Sequence, residues 1–152
     1  MGRGRERSDP DLELRLPSDP RFLAVARAFV EQAAVAAGVD EKTANRIVLC
    51  VGEAVSNVIR HCYGGRCDWD MTLRVVMRPD RFELHLQDFG RKVEPGELRG
   101  RRPGEVRPGG LGLEIIREVM DEVDLSFVDG TGNRLTMIKF LGGSGAGDRP
   151  RR

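Results

Sequence analysis

Apolar and polar residues alternate, then recur every three or four positions, then alternate again, and these switches predict the fold. Leu12, Leu14 and Leu16 interleave with Asp11, Glu13 and Arg15, a half-buried strand closed by Pro17. Ser18 or Asp19 can cap a helix with Pro20 in its first turn. Its apolar stripe is Phe22, Leu23, Ala26, Phe29, Val30 and Ala33, and Gly38 ends it. Asp40 caps a second helix whose apolar face runs Ala44, Ile47, Val48, Val51, Val55, Val58 and Ile59, fraying near Tyr63–Gly64–Gly65.

Two alternating runs follow, Met71–Leu73–Val75 and Phe82–Leu84–Leu86, joined by a Pro79–Asp80 turn. Residues 89–110 hold six Gly and three Pro among scattered charges and read as a long mobile loop. A third helix is expected from about Leu111 to Met120. A strand through Val123, Leu125 and Phe127, an Asp129–Gly130 turn and a last strand from Leu135 to Leu141 complete the chain. The order β-α-α-β-β-loop-α-β-β predicts an α+β two-layer sandwich, with helices on one face of a mixed, mainly antiparallel sheet.

The 152 residues suit one domain, expected over 11–141, with polar tails at 1–10 and 142–152 that have nothing to bury. No stretch reaches the roughly 18 apolar residues of a membrane span, and no apolar segment follows the charged start as a secretory signal requires. Cys50, Cys62 and Cys67 are too few for a disulfide framework. These features predict a cytoplasmic protein with no membrane partner. The formal charge of +1 argues against a nucleic-acid binder, but it averages unlike parts. Residues 91–108 carry six cations and three acids, a local +3 on an otherwise acidic body.

Candidate chemistry lies in three places. On the second helix Arg46, Cys50, Glu53, Asn57 and Arg60 share a stripe. Such a stripe can simply be a solvated side. Yet Gly52 in mid-helix costs about 1 kcal/mol against Ala and asks for a packing reason. Glu53 and Asn57 also offer a carboxylate and an amide oxygen one turn apart, suited to a general base and a hard cation. Asp88–Phe89–Gly90 ends the second alternating run. Gly109–Gly110–Leu111–Gly112 leads into the third helix, where backbone N–H groups can approach phosphates. His61, Cys62 and Cys67 could be three zinc ligands, but no fourth has the expected spacing, and a helix-end His beside two ordinary thiols is the simpler reading. The lone Trp69 reads as core or edge packing.

Taken in order, E-A-V-S-N-V-I-R-H (Glu53–His61), D-F-G (Asp88–Gly90), G-G-L-G-L-E-I-I (Gly109–Ile116), M-D-E-V (Met120–Val123) and G-N-R-L-T-M-I-K (Gly132–Lys139) strongly resemble the histidine kinase-like ATPases of the Bergerat fold. Within them the chain is most similar to the small anti-sigma factor serine kinases. The resemblance implies ATP and Mg²⁺ as cofactors, with Glu53 as catalytic base and Asn57 as the metal ligand. It implies that Arg60 reaches a phosphate, that Asp88 reads the adenine amino group and that Gly90 lets the base approach. Gly110, Leu111 and Gly112 match the box that closes over the triphosphate. Three positions depart from the pattern. Lys92 replaces the second glycine of the Asp88 box and offers a cation near the nucleotide. Arg107 is offset by one because Pro108 holds the usual arginine position. Asn133 replaces the Thr after the third glycine and can still hydrogen-bond near the base.

The implied activity is ATP-dependent serine/threonine phosphorylation of a small antagonist (STAS-type) protein. The implied setting is a homodimeric partner-switching regulator of a sigma factor or other effector. A nucleotide-gated sequestering protein with little kinase activity is the rival; intact Glu53 favours the kinase, while Lys92 and the offset Arg107 favour the rival.

Overall fold

The computed structural model describes residues 9–62, 68–92, 111–128 and 130–142. The outer parts of both expected tails, the fraying at Tyr63–Gly65, Cys67, Asp129 and most of the long loop, with Arg107 and Gly110, lie outside the described residues. Strand β1 spans Asp11–Pro17 and is followed by one 3-10 turn, Pro20–Phe22, and helix α1, Leu23–Ala36. Helix α2, Glu41–Asn57, continues as a π-helical turn, Val58–Cys62. Strands β2 (Asp70–Met77) and β3 (Arg81–Asp88) form the expected hairpin. Helix α3 (Leu111–Val119) and strands β4 (Glu122–Val128) and β5 (Gly132–Phe140) complete the element order read from the pattern.

The local signals act as expected. Of the two candidate caps, Asp19 is the one used: its carboxylate accepts from Arg21 N at 2.9 Å. Asp40 accepts from Thr43 N at 2.9 Å and starts α2. Gly38 adopts φ +74° after α1, the left-handed conformation that favours glycine.

The sheet order is β1-β2-β3-β5-β4, and all four pairings are antiparallel. The expected parallel component is absent among the described strands, because the chain returns through α3 to place β4 outside β5. Register puts Leu16, Met71, Leu73, Val75, Phe82, Leu84, Leu86 and Met137 on one face, buried against Ala26, Val30, Ile47, Val51, Val55 and Ile116 of the helices. The other face is largely polar, with Val76, Ile138 and Phe140 among its charged residues. There Glu83, 7 % exposed, is bound by Arg78 Nε at 2.9 Å and by Arg81 Nε at 2.5 Å.

Three details differ from expectation. The last strand starts at Gly132, three residues early, so the G-N-R segment lies inside the sheet. Leu12 is 40 % exposed on the free side of β1, while Trp69, expected in core or edge packing, is 41 % exposed at the entrance to β2. Asp9 and Pro10, assigned by composition to the tail, are tied to the hairpin, Asp9 by an ion pair to Arg78 at 2.9 Å and Pro10 by its carbonyl to Met77 N at 2.9 Å. No helix among the described residues is long and apolar enough to cross a membrane.

Candidate nucleotide site

The α2 stripe is not a solvated side. Arg46 is exposed, Cys50 is fully buried, Glu53 and Asn57 are half-buried, and Arg60 is exposed. The reason is α3, which packs along this flank of α2 and sets its first turn against Glu53. A Cβ on Gly112 would stand 2.5 Å from Glu53 Oε2 and 3.3 Å from Glu53 Cβ. Burial pushes the Cys50 thiol up to about 11, so it is an inert core group. The expected loop role of Gly112 therefore becomes a helical one, one residue after Leu111 opens α3.

Asn57 ends the regular helix, and its Oδ1 is buried without a hydrogen-bond partner. Such an acceptor is costly in a folded chain and fits a hard cation, which takes amide and carboxylate oxygens. Arg60 falls in the π turn, where each residue advances the helix less than in an α-helix. It is thus rotated off the stripe that an α-period assigns it.

Gly52 also has its packing reason. A Cβ there would lie 2.6 Å from Arg27 Nε and 2.8 Å from Arg27 Nη2, so the α1 guanidinium lies across α2 in the space the glycine leaves. The glycine signalled a close contact; nothing in the sequence named Arg27.

At the sheet end, Asp88 closes β3 and is 3 % exposed. Its Oδ1 accepts from Gly90 N at 2.9 Å and from Asn133 Nδ2 at 3.0 Å, while the same Nδ2 donates to Arg91 O at 2.7 Å. The register sets Met71, Asp88 and Asn133 side by side across β2, β3 and β5. Gly132, at φ +83°, brings β5 so close that a Cβ would lie 2.0 Å from Asp88 O. Lys92 Nζ stands 6.0 Å from the ring centroid of Phe127, the register partner of Asn133, so its ammonium lies over β4. Alternation placed Phe127 on a strand, but nothing in the pattern put it at this corner. Because α2 leads through residues 63–69 into β2, its Asn57 end and Asp88 lie at the same end of the molecule. The structure thus brings Glu53 against Gly112 on the α2–α3 side, and Asp88, Gly90 and Asn133 together at the ends of β3 and β5.

The sequence matches the family described as Histidine kinase-like ATPase domain over residues 16–139. The chain belongs to that family. Its relatives include the serine-protein kinase RsbW of Halalkalibacterium halodurans, 31% identical over 140 residues that cover 86% of this chain and 83% of the relative. The serine-protein kinase RsbW of Listeria monocytogenes is 28% identical over 138 residues, covering 86% and 87%. Among solved structures, the RsbU and RsbW domains of a Mycobacterium tuberculosis protein superpose with a TM-score of 0.61 at 17% identity, over 86% of this chain and 32% of that one. The SiaB-SiaC complex from Pseudomonas aeruginosa gives 0.57 at 14% identity, over 86% and 89%. These two establish the shared fold. Family membership accounts for the layering of α2 and α3 on the antiparallel sheet, and it makes ATP the nucleotide to consider.

Proposed function

We propose that the chain is an ATP-dependent serine/threonine protein kinase that acts as an anti-sigma-factor-type regulator on a STAS-type antagonist protein. The observation that carries this reading is the pairing on α2 of half-buried Glu53 with Asn57, whose buried Oδ1 has no partner. Similarity to the RsbW serine-protein kinases supports the activity. In this reading Asp88, fixed by Gly90 N and Asn133, accepts from the adenine amino group, and Gly90 lets the base approach closely. Arg60, Lys92, Arg107 and the Gly110–Leu111–Gly112 segment supply charge and backbone N–H groups to the phosphates.

Glu53 takes the proton of the acceptor hydroxyl as its oxygen bonds to the γ-phosphorus and the bond to the β–γ bridging oxygen breaks. The products are a phosphoserine or phosphothreonine and ADP. Asn57 Oδ1 would hold Mg²⁺, which when bound neutralises phosphate charge. The other partner is a sigma factor or comparable effector, and the setting is the cytoplasm, where ATP and such partners meet.

A homodimer belongs to the same reading. Ser18 N donates to Trp69 O and Met77 N to Pro10 O, so even-numbered β1 residues direct their backbone groups toward β2. Asp11, Glu13 and Arg15 then present theirs at a free edge. A second β1 paired antiparallel about Leu14 would set each Glu13 opposite the other copy's Arg15. It would also help cover the groove formed by Leu12, Leu14, Val25 and Phe29.

The test is incubation of the full chain with labelled ATP, Mg²⁺ and the STAS-domain protein encoded beside its gene. Phosphoserine or phosphothreonine on that protein is expected. Nucleotide binding without transfer would establish the sequestering alternative instead.

A further inference from the structure

On and beside the sheet Arg15 pairs with Asp70, Arg74 with Asp11, Arg78 with Asp9 and Glu83, Arg81 with Glu83, and Lys139 with Asp121, while Arg134 bonds the Gln87 amide oxygen. On α2, the side chains of Lys42 and Arg46 are exposed and have no hydrogen bond or ion pair among the described residues. Both lie on the side of α2 that carries Glu53, with Leu49, 45 % exposed, beside them. Glu41, their acidic neighbour on the helix, falls on a different face from Arg46.

Their position along α2 gives them a task. In the kinase reading Asp88 and Asn133 hold the base, Asn57 the metal and Glu53 the acceptor hydroxyl, so a triphosphate would run from the Asn57 end of α2 toward Glu53. In-line transfer requires the attacking hydroxyl to enter from beyond the terminal phosphate, which is the N-terminal side of Glu53. Arg46 lies two helical turns in that direction, about 10 Å from Glu53 along the axis, with Lys42 one turn further. A protein presenting its hydroxyl to Glu53 must pass over these side chains.

We infer that Lys42, Arg46 and Leu49 form the docking surface for the protein substrate, and that the segment flanking its acceptor hydroxyl is acidic with an apolar side chain. The inference rests on the kinase reading above. Charge complementarity selects the occupant: two cations with no partner among the described residues meet an acidic segment without first breaking an ion pair there, and Leu49 takes the apolar contact. The surface is also continuous with the proposed catalytic base. A basic or neutral segment would leave both cations facing like charge or nothing.

The experiment uses the full chain and the same neighbouring STAS-domain protein, with K42E/R46E and, separately, L49A. For K42E/R46E the KM for the protein substrate should rise tenfold or more, with kcat and ADP affinity within twofold of wild type. Raising NaCl from about 50 to about 300 mM should increase the wild-type KM and leave that of the variant nearly flat. L49A should raise KM without altering the salt dependence. A KM within twofold of wild type in K42E/R46E overturns the inference and leaves the kinase reading standing. If wild type binds the STAS-domain protein without transferring phosphate, the kinase reading falls. Calorimetric affinity in ADP then decides: a tenfold loss in K42E/R46E supports the docking surface, and unchanged affinity overturns it. No binding by wild type overturns both.

Discussion

The Glu53 carboxylate fills the space where a side chain at Gly112 would begin, a Cβ there standing 2.5 Å from Oε2. The first turn of α3 therefore walls the proposed catalytic base. Gly112→Ala should displace the carboxylate and lower transfer at least tenfold. Alanine favours helix by about 1 kcal/mol, so the fold should persist. Glu53→Ala should lower transfer by about 10²–10⁴-fold with ADP affinity within a few-fold. Single-turnover transfer and ADP calorimetry on both variants check this; full activity in Gly112→Ala would show that the contact is not used.

Asn57 Oδ1 predicts opposite effects on binding and stability. An unsatisfied buried carbonyl costs about 1–3 kcal/mol. Asn57→Leu should abolish the Mg²⁺ dependence of ADP affinity while leaving the melting temperature equal or higher. Calorimetry with and without Mg²⁺, beside a thermal melt, measures both. A Mg²⁺ dependence that survives would remove Asn57 as ligand.

Asp88 offers a test of the base-reading end. Asp88→Asn keeps an oxygen for Gly90 N but turns one acceptor into a donor facing the adenine amino group. ATP affinity should fall at least tenfold without loss of fold. Asn133→Thr should retain binding, whereas Asn133→Leu, which removes the donor to Asp88 and Arg91, should weaken it. Unchanged ATP binding in Asp88→Asn would mean the base lies elsewhere.

The free edge of β1 predicts an association that depends on charge order. Leu14→Asp should give monomers by sedimentation velocity. Glu13→Arg should weaken the dimer by placing like charges opposite each other, and Glu13→Arg with Arg15→Glu should restore it. A Leu14→Asp protein that remains dimeric would put the interface on another surface.

Glu83 predicts part of the acid response. Burial raises its pKa, but hydrogen bonds from Arg81, Arg78 and His85 outweigh this and hold it below the ordinary 4.5. Its folded-state pKa lies under its unfolded one, so its stabilisation is complete above about 4.5 and is lost as pH falls through the lowered value. Glu83→Gln should be less stable at pH 7 and lose less additional stability toward pH 3. Urea melts at both pH values measure the difference.

Much of this was legible in the pattern because the signals were local. Alternation in β2 and β3, the Asp40 cap and the Gly38 stop depend on neighbours a few residues away. What escaped was set by distant contacts. Cys50 is buried because α3 packs along α2, and Arg27 fills the space above Gly52. Arg60 leaves its expected azimuth because α2 ends in a π turn, a change of pitch that apolar spacing does not announce. The start of β5 was misplaced because Gly132 and Asn133 look like turn residues, although their neighbour across the sheet is Asp88. The family motifs located Glu53, Asn57 and Asp88, while the contact of Gly112 with Glu53 came from the packing of α3.

At the Asp88 corner, the strand crossing is fixed by main chain: Gly132 meets the carbonyl of Asp88, and only then does Asn133 reach the carboxylate. Different short polar side chains can therefore be exchanged at the following position while the frame stays put. A motif search demanding threonine there would pass over this chain, whereas one demanding the glycine would find it.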